Sequence, residues 1–139
     1  MSTFNNISDC EVCKSEDSFI VQTNNRERSL YGYCLECGLG QTETTQWDDK
    51  GRYTSMAGEV FQWDLETINR YREYAENDRF ANYEYEIEEG IIPPNSKYEP
   101  KWKPLKKLKK MNKKVFEKLS KKMEETIKYW NNEYKLKRA

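Results

Sequence analysis

Short stretches of alternating apolar and polar residues in the first half of the chain predict β-strands. Residues 19–22 are expected to form one strand and residues 29–33 its returning partner, with a turn at residues 24–26. A third strand is expected over the Thr-rich residues 41–47, followed by a turn and a short strand near Tyr53. The pattern therefore predicts an antiparallel sheet of three to four short strands.

A helix is expected to begin at Asp64, because its carboxylate can accept hydrogen bonds from the free amides of a first helical turn. The apolar face of this helix is expected to contain Leu65, Ile68, Tyr71 or Arg72, and Ala75. Beyond it, the alternation around Tyr83 and Tyr85 fits a strand, whereas the spacing of Phe80, Tyr83 and Ile87 fits a helix. The pattern leaves both structures open for this segment.

Residues 91–104 contain the four prolines of the chain, which fix the backbone and lack an amide donor. We therefore expect an extended connector here. Its aromatic residues, Tyr98 and Trp102, indicate that it lies along a surface, either of this protein or of a partner.

After Pro104 the apolar residues recur at a mean spacing of about 3.6 residues, the period of a straight amphipathic helix. The positions are Leu105, Leu108, Val115, Leu119, Met123, Ile127, Trp130 and Tyr134, with Asn112 in the one polar slot. Such a helix, from about residue 104 to residue 136, would be roughly 50 Å long. Because it would extend beyond the sheet, we expect part of its apolar face to contact another molecule or a folded-back segment.

Four cysteines occur in two close pairs with a spacing that is typical of a zinc site. Cys10 and Cys13 form the first C-x2-C pair, and Cys34 and Cys37 form the second pair after twenty intervening residues. Gly38 permits a tight turn in which backbone amides point at the sulfurs. Four thiolates close the tetrahedral shell of one zinc ion, so a structural zinc is expected. Buried or disulfide-bonded cysteines are the alternative.

A metal would also compensate for a small core. The 139 residues are 36% hydrophobic, with a mean hydropathy of -1.11. We therefore expect a small α+β zinc-binding protein with four parts. They are a zinc ribbon over residues 1–58, an acidic, aromatic-rich segment with a short helix over residues 59–90, the connector over residues 91–104, and a long, lysine-rich amphipathic helix over residues 105–139.

The N-terminal part resembles the zinc ribbons of the transcription apparatus, especially the C-terminal ribbon of eukaryotic transcript-cleavage elongation factors and ribbons of RNA polymerase subunits. The shared features, within about residues 8–47, are Cys13-Lys14, Val21-Gln22-Thr23 and Cys34-Leu35-Glu36-Cys37-Gly38. In the cleavage factors an Asp-Glu pair at the hairpin tip reaches the polymerase active centre. The tip here reads Asn24-Asn25-Arg26-Glu27-Arg28, so the resemblance does not imply transcript cleavage.

The net charge is zero, but the charges are separated along the chain. Residues 1–96 have 8 basic and 19 acidic side chains, whereas residues 97–122 have 12 lysines and two glutamates. Phosphate backbones attract such lysine arrays through counterion release, and Trp102 could stack on a base. An acidic protein surface, the chain's own acidic half and plain solvation are the alternatives. The candidate binding residues are Arg26, Arg28, Lys101, Trp102, Lys103, Lys106, Lys107, Lys109, Lys110, Lys113 and Lys114.

The chain contains no histidine and no glycine-rich phosphate loop, and its four cysteines are assigned to the metal. We therefore expect a non-catalytic accessory protein that binds nucleic acid or a nucleic-acid machine such as RNA polymerase, and no small-molecule substrate. A structural subunit or adaptor that wraps a larger assembly through the connector and the long helix is the alternative. Because neither a secretory signal nor a membrane-spanning stretch is visible, we expect a cytoplasmic or nuclear protein that is not secreted and has no membrane partner.

Overall fold

Five antiparallel strands lie in one sheet in the order in which they follow one another along the chain. The computed structural model describes residues 3–24 and 29–138. The strands are β1 (Thr3–Ser8), β2 (Phe19–Asn24), β3 (Ser29–Cys34), β4 (Leu39–Trp47) and β5 (Tyr53–Gln62), and the helices are α1 (Leu65–Glu88) and α2 (Lys113–Arg138). Each strand pairs with the next, so β1 and β5 are the edges of the sheet.

The sheet is larger than predicted. Strands β2, β3 and β4 contain the three predicted strands, but β1 is not predicted, because Asn5 and Asn6 are disfavoured in strands. Strand β5 runs from Tyr53 to Gln62, so the short strand expected near Tyr53 is too short. Residue 58, the expected end of the zinc ribbon, lies inside this strand.

The two faces of the sheet bury different side chains, because successive residues of a strand point to opposite sides. Phe19 of β2 packs with the cysteines and with the first turns of α2. Its neighbour Ile20 packs on the other face with Tyr33 and with Ala75 of α1. The sheet therefore lies between the two helices.

Helix α1 is longer than predicted. It begins after Asp64, whose Oδ1 accepts a hydrogen bond of 2.8 Å from the amide of Thr67, which confirms the predicted cap. The helix continues through residues 83–87 to Glu88, so the alternation in that segment belongs to a helix. The short helix of the predicted fold is therefore wrong, since α1 has 24 residues.

Helix α2 begins at Lys113, and the prediction that it begins near Pro104 is wrong. Asn112 caps it: its Oδ1 lies 3.1 Å from the amide of Lys114 and 3.3 Å from that of Val115. Residues 89–112 form neither helix nor strand. We call residues 101–112 the lysine strap.

One feature of the sequence favours an extended strap over a helix. Its apolar residues recur every three residues, which is the period of an extended polyproline-type chain. These residues are Trp102, Leu105, Leu108 and Met111, all at least half-buried, whereas the lysines between them are exposed.

Helix α2 packs on the protein's own sheet, beside strand β5. Gly58 permits the close approach, because a Cβ atom there would lie 2.7 Å from Cδ1 of Ile127. Ile127 and Met123 are half-buried, but Trp130 is 52% exposed. Trp130 therefore lies outside the contacting face, which continues to Asn131.

Candidate metal centre

Four cysteine sulfurs meet at one end of the sheet. Cys10 and Cys13 lie in the loop between β1 and β2, Cys34 ends β3, and Cys37 precedes β4. The four Sγ atoms lie within 4.8 Å of one another, and the Cys10–Cys37 and Cys13–Cys34 sulfur pairs are each 3.7 Å apart. A tetrahedral zinc with Zn–S bonds of about 2.3 Å separates its sulfurs by about 3.8 Å. The cluster could therefore hold one metal ion, and its dimensions fit zinc.

Both cysteine pairs lie in turns that direct backbone amides at a sulfur. The amide of Cys13 lies 3.5 Å from Sγ of Cys10, and the amide of Cys37 lies 3.5 Å from Sγ of Cys34. The residue after each pair has a left-handed backbone, with φ of 83° at Gly38 and 64° at Lys14. A Cβ atom at Gly38 would lie 2.6 Å from the carbonyl oxygen of Trp63, so only glycine fits there.

The cysteines are withdrawn from solvent, with exposed fractions of 1% for Cys10, 8% for Cys13 and 0% for Cys34 and Cys37. The neighbouring thiol of Cys10 holds the pKa of Cys34 well below its ordinary value, and the thiol of Cys34 raises the pKa of Cys10. Hydrogen bonds to the thiols of Cys10 and Cys34, together with burial, raise the pKa of Cys37. Four clustered thiols resist joint ionisation because thiolates repel one another in a buried site. Only a bound cation would therefore favour four thiolates.

Two serines and a lysine lie next to the sulfurs. Oγ of Ser15 lies 3.2 Å from Sγ of Cys13, and Oγ of Ser18 lies 3.6 Å from Sγ of Cys34. Nζ of Lys109 donates a hydrogen bond of 3.0 Å to Oγ of Ser15. The sequence does not predict a role for the two serines at the metal centre. Their one sequence signal is that both follow shortly after the first cysteine pair.

The lysine strap crosses both cysteine turns. The amide of Lys109 donates to the carbonyl of Glu36 at 2.7 Å, and the amide of Asn112 donates to the carbonyl of Val12 at 3.0 Å. Glu36 and Val12 are equivalent, since each is the second residue between the cysteines of its pair. The strap is therefore hydrogen-bonded to the two loops that would hold the metal.

Arg72 of α1 connects one cysteine turn to the strap. Its Nη1 donates to the carbonyl of Leu35 at 2.5 Å and its Nε to the carbonyl of Lys103 at 2.7 Å. The residue is 5% exposed, and Nη1 also lies 3.4 Å from Oε1 of Glu36. The sequence places Arg72 on the buried face only as an alternative to Tyr71, and its bonding role is not predicted.

A row of polar residues on α1 binds the backbone of the connector and the strap. Its members, spaced by three or four residues, are Asn69, Arg72, Glu76, Arg79 and Tyr83. The Glu76 carboxylate accepts hydrogen bonds of 3.0 Å and 2.8 Å from the amides of Lys101 and Trp102. Burial opposes its ionisation, but these amides and Arg79 lower the pKa of Glu76 below its ordinary value. The acidic helix is therefore not simply a solvated face.

The candidate nucleic-acid residues fall into three groups. The exposed lysines of the strap are Lys101, Lys103, Lys106, Lys107, Lys109 and Lys110, and Lys113 and Lys114 lie exposed at the start of α2. Arg26 and Arg28 lie outside the described residues. The prediction that Trp102 stacks on a base is wrong, because its ring is 7% exposed and packs among Ile20, Leu35 and Ala75. The cations of Arg72 and Lys101 also lie 5.2 Å and 4.6 Å from its ring centre.

Comparisons with protein-family models, with curated proteins and with solved structures found no match. The transcription-type resemblance therefore remains an interpretation of the cysteine pattern and its flanking residues. Among residues 3–24 and 29–138, no helix is long and apolar enough to cross a membrane.

Proposed function

We propose that this protein is a non-catalytic zinc-ribbon module that binds the phosphate backbone of a nucleic acid through the lysine strap and the start of α2. The main support is a continuous array of exposed lysines on a backbone that α1 and the cysteine turns fix in place. A fixed array of charge binds phosphates without the entropic cost of ordering a flexible tail. The proposed phosphate-binding residues are Lys103, Lys106, Lys107, Lys110, Lys113 and Lys114.

Among the side chains that the structure describes, no lysine of this array lies within 4.0 Å of a carboxylate. Within the described side chains of residues 7–23 and 29–133, the ion pairs are formed by Arg52, Arg72 and Arg79, and none involves a lysine of the strap. Pairing with the chain's own acidic half therefore finds no support in these residues. Uncompensated positive charge of this density attracts a polyanion.

The start of α2 also favours an external anion. Its first turn contains no acidic residue but begins with Lys113 and Lys114, although positive charge opposes the helix dipole at an N-terminus. A conflict with a local rule of this kind is expected at a functional site. These two lysines, with Lys109 and Lys110, line an open cleft of about 870 Å³, whose other lining residues include Leu108, Met111, Phe116 and Glu117.

The composition of the array favours binding without sequence preference. Two lysines in each of the three-residue repeats 105–107 and 108–110 give about one positive charge per 5 Å of extended chain, which is comparable with one phosphate per about 3.4 Å of a nucleic-acid strand. Lysine lacks the forked geometry with which arginine reads guanine, and Trp102 is not available for stacking. We therefore expect contacts to phosphates and not to base edges.

Fluorescence anisotropy of the metal-loaded protein with labelled duplex DNA, single-stranded DNA and single-stranded RNA tests the proposal. On duplex DNA, a plot of the logarithm of the binding constant against the logarithm of the salt concentration should have a negative slope, of about -0.9 for each phosphate contact. The double variant Lys106→Gln, Lys107→Gln should bind several-fold more weakly with a shallower slope, and Lys50→Gln should bind like the parent. Lys50 is the matched control because it is exposed in the turn between β4 and β5, away from the strap. Absence of binding at low salt, or an equal loss in both variants, would overturn the proposal.

The identity of the metal is part of the proposal. Four thiolates at the observed sulfur separations suit zinc, and they leave no open position for water or substrate. Elemental analysis of protein purified without added metal should find about one zinc per chain. A different metal at that stoichiometry would disprove the assignment to zinc but not the site.

A second candidate function is a structural subunit or adaptor within a larger assembly, including a nucleic-acid machine such as RNA polymerase. It is supported by exposed apolar residues beyond the strap, for example Phe80, Tyr85 and Ile91, which are 45%, 55% and 64% exposed. A large exposed apolar area is typical of a protein-binding surface. Sedimentation of the isolated protein separates the candidates, because a well-behaved monomer that binds nucleic acid would count against the adaptor.

A further inference from the structure

Lys109 differs from its neighbours in the strap because its ammonium group is directed at the metal centre. Its Nζ lies 3.0 Å from Oγ of Ser15, and that oxygen lies 3.2 Å from Sγ of Cys13. Ser15 is 9% exposed, so the hydroxyl that joins the two groups is nearly withdrawn from water. Among the described residues, the side chains of Lys106 and Lys110 form no such bond.

The backbone holds Lys109 in this position. Its amide donates to the carbonyl of Glu36 in the second cysteine turn, while its side chain reaches Ser15, which follows the first turn. One residue thus contacts both loops of the site. The position of its charge is therefore fixed by the same turns that present the four sulfurs.

A charge near the sulfurs matters because four thiolates and one divalent cation leave a net charge of about -2 in a buried site. With a metal held by the four sulfurs, the hydroxyl of Ser15 would donate to Sγ of Cys13 while its oxygen accepts from Nζ of Lys109. This arrangement places a cation one hydroxyl away from a metal ligand. Groups of this kind raise the metal affinity of a site without touching the metal.

We propose that Lys109 is a positioning residue of the metal centre, which stabilises the thiolate of Cys13 through Ser15 and thereby raises the affinity for zinc. Lys109 is then excluded from the phosphate-binding set, to which its neighbour Lys110 belongs. The inference rests on the zinc site of the proposed function but not on nucleic-acid binding, because metal affinity is measured without nucleic acid.

The test is a competition titration of Zn²⁺ between the full chain and a chromophoric chelator. Lys109→Met keeps the aliphatic stem and removes the charge, and it should bind zinc roughly tenfold more weakly, at the low end of such effects because Lys109 is partly solvated. Lys109→Arg should restore most of the affinity, and Lys110→Met is the matched control that should bind like the parent. Equal losses in the Met variants, or no rescue by Arg, would overturn the proposal.

A second variant tests the role of Ser15 and remains informative if Lys109→Met folds poorly. Ser15→Ala should weaken zinc binding, and the further effect of Lys109→Met in this background should be small, because the two side chains act in series. Additive losses would contradict the connection through Ser15.

In the parent protein, zinc affinity should also decrease as the sodium chloride concentration is raised, since salt screens a partly exposed charge. Zinc affinity that does not change with salt would count against the charge of Lys109.

Discussion

At the scale of single residues, Arg72 shows how one buried cation can organise separate segments. Its guanidinium donates to the carbonyls of Leu35 and Lys103, which belong to a cysteine turn and to the lysine strap. The bond to Leu35 is buried and the bond to Lys103 is partly buried, and removal of the guanidinium would take this donor from both carbonyls. A buried acceptor without a donor costs about 1–3 kcal/mol.

Replacement of this arginine should therefore be costly. We expect Arg72→Met to lower the free energy of unfolding of the metal-loaded protein by about 3 kcal/mol, because two carbonyls lose a charged donor while the packing volume is kept. Urea denaturation followed by circular dichroism measures this change. Arg70→Met is the matched control on the exposed side of the same helix and should change stability by less than about 0.5 kcal/mol. Similar losses in both variants would show that Arg72 acts only through general charge.

At the scale of elements, α1 holds the strap through hydrogen bonds to its backbone. The two are neighbours because the chain reverses after α1 and returns along the polar row of the helix, as the contacts of Asn69 with Leu105 and of Glu76 with Trp102 show. Glu76 is the acidic member of this row. Its contribution depends on its ionised form, because an amide donates more strongly to a carboxylate than to a neutral acid.

Glu76→Gln should therefore destabilise the protein in a pH-dependent way. Folding lowers the pKa of Glu76, so the unfolded state binds more protons than the folded state as the pH falls. The stability that the ionised carboxylate contributes is therefore fully present above the unfolded pKa of about 4.5. It is lost as the pH falls through the lower pKa of the folded state. At pH 7 we expect a loss of about 1 kcal/mol in urea denaturation, shrinking towards zero below pH 4. Glu73→Gln, exposed on the same helix, serves as the control. An effect of Glu76→Gln that persists undiminished at pH 3 would contradict the assignment.

The contact between α2 and edge strand β5 includes an amide side chain that bonds to the backbone of the strand. Asn131 accepts from the backbone amide of Met56 at 2.8 Å and donates to the carbonyl of Met56 at 3.0 Å, so it pairs with the edge as another strand would. Asn131→Ala should lower stability by about 1 kcal/mol relative to Asn132→Ala. The neighbouring exposed Asn132 gains the same helix propensity on substitution and is therefore a matched control. Equal unfolding midpoints of the two variants would show that the edge contact contributes nothing.

The sequence predicts local structure more accurately than it predicts which segments meet. The cysteine cluster follows from its spacing, and the cap at Asp64 follows from local hydrogen bonding. The start of α2 is mispredicted because Leu105 and Leu108 fit a helical repeat as well as a three-residue repeat. The burial of Trp102 and the bonds of Arg72 depend on the return of the chain along α1, which no local pattern encodes.

At the scale of the whole molecule, the metal site lies where the sheet, α1 and the strap meet. The strap is bound to the cysteine turns through Glu36 and Val12, and α1 is bound to them through Leu35. A structural zinc site contributes about 10–16 kcal/mol, which is comparable with the entire stability of a small domain. The cysteine turns are therefore not expected to persist without the metal, and neither are the segments that bind to them.

Removal of the metal should release the lysine strap. In amide hydrogen exchange of the metal-loaded protein, the amides of Lys109 and Asn112 should be protected, because their acceptors are the carbonyls of Glu36 and Val12. After treatment with a chelator we expect both amides to exchange at least about a hundredfold faster, since the turns that present these carbonyls lose their metal. Re-addition of zinc should restore protection, whereas magnesium, which prefers oxygen ligands, should not. Protection of Lys109 and Asn112 that survives removal of the metal would show that α1 alone positions the strap. In that case the proposed binding of nucleic acid by the strap would not depend on the metal.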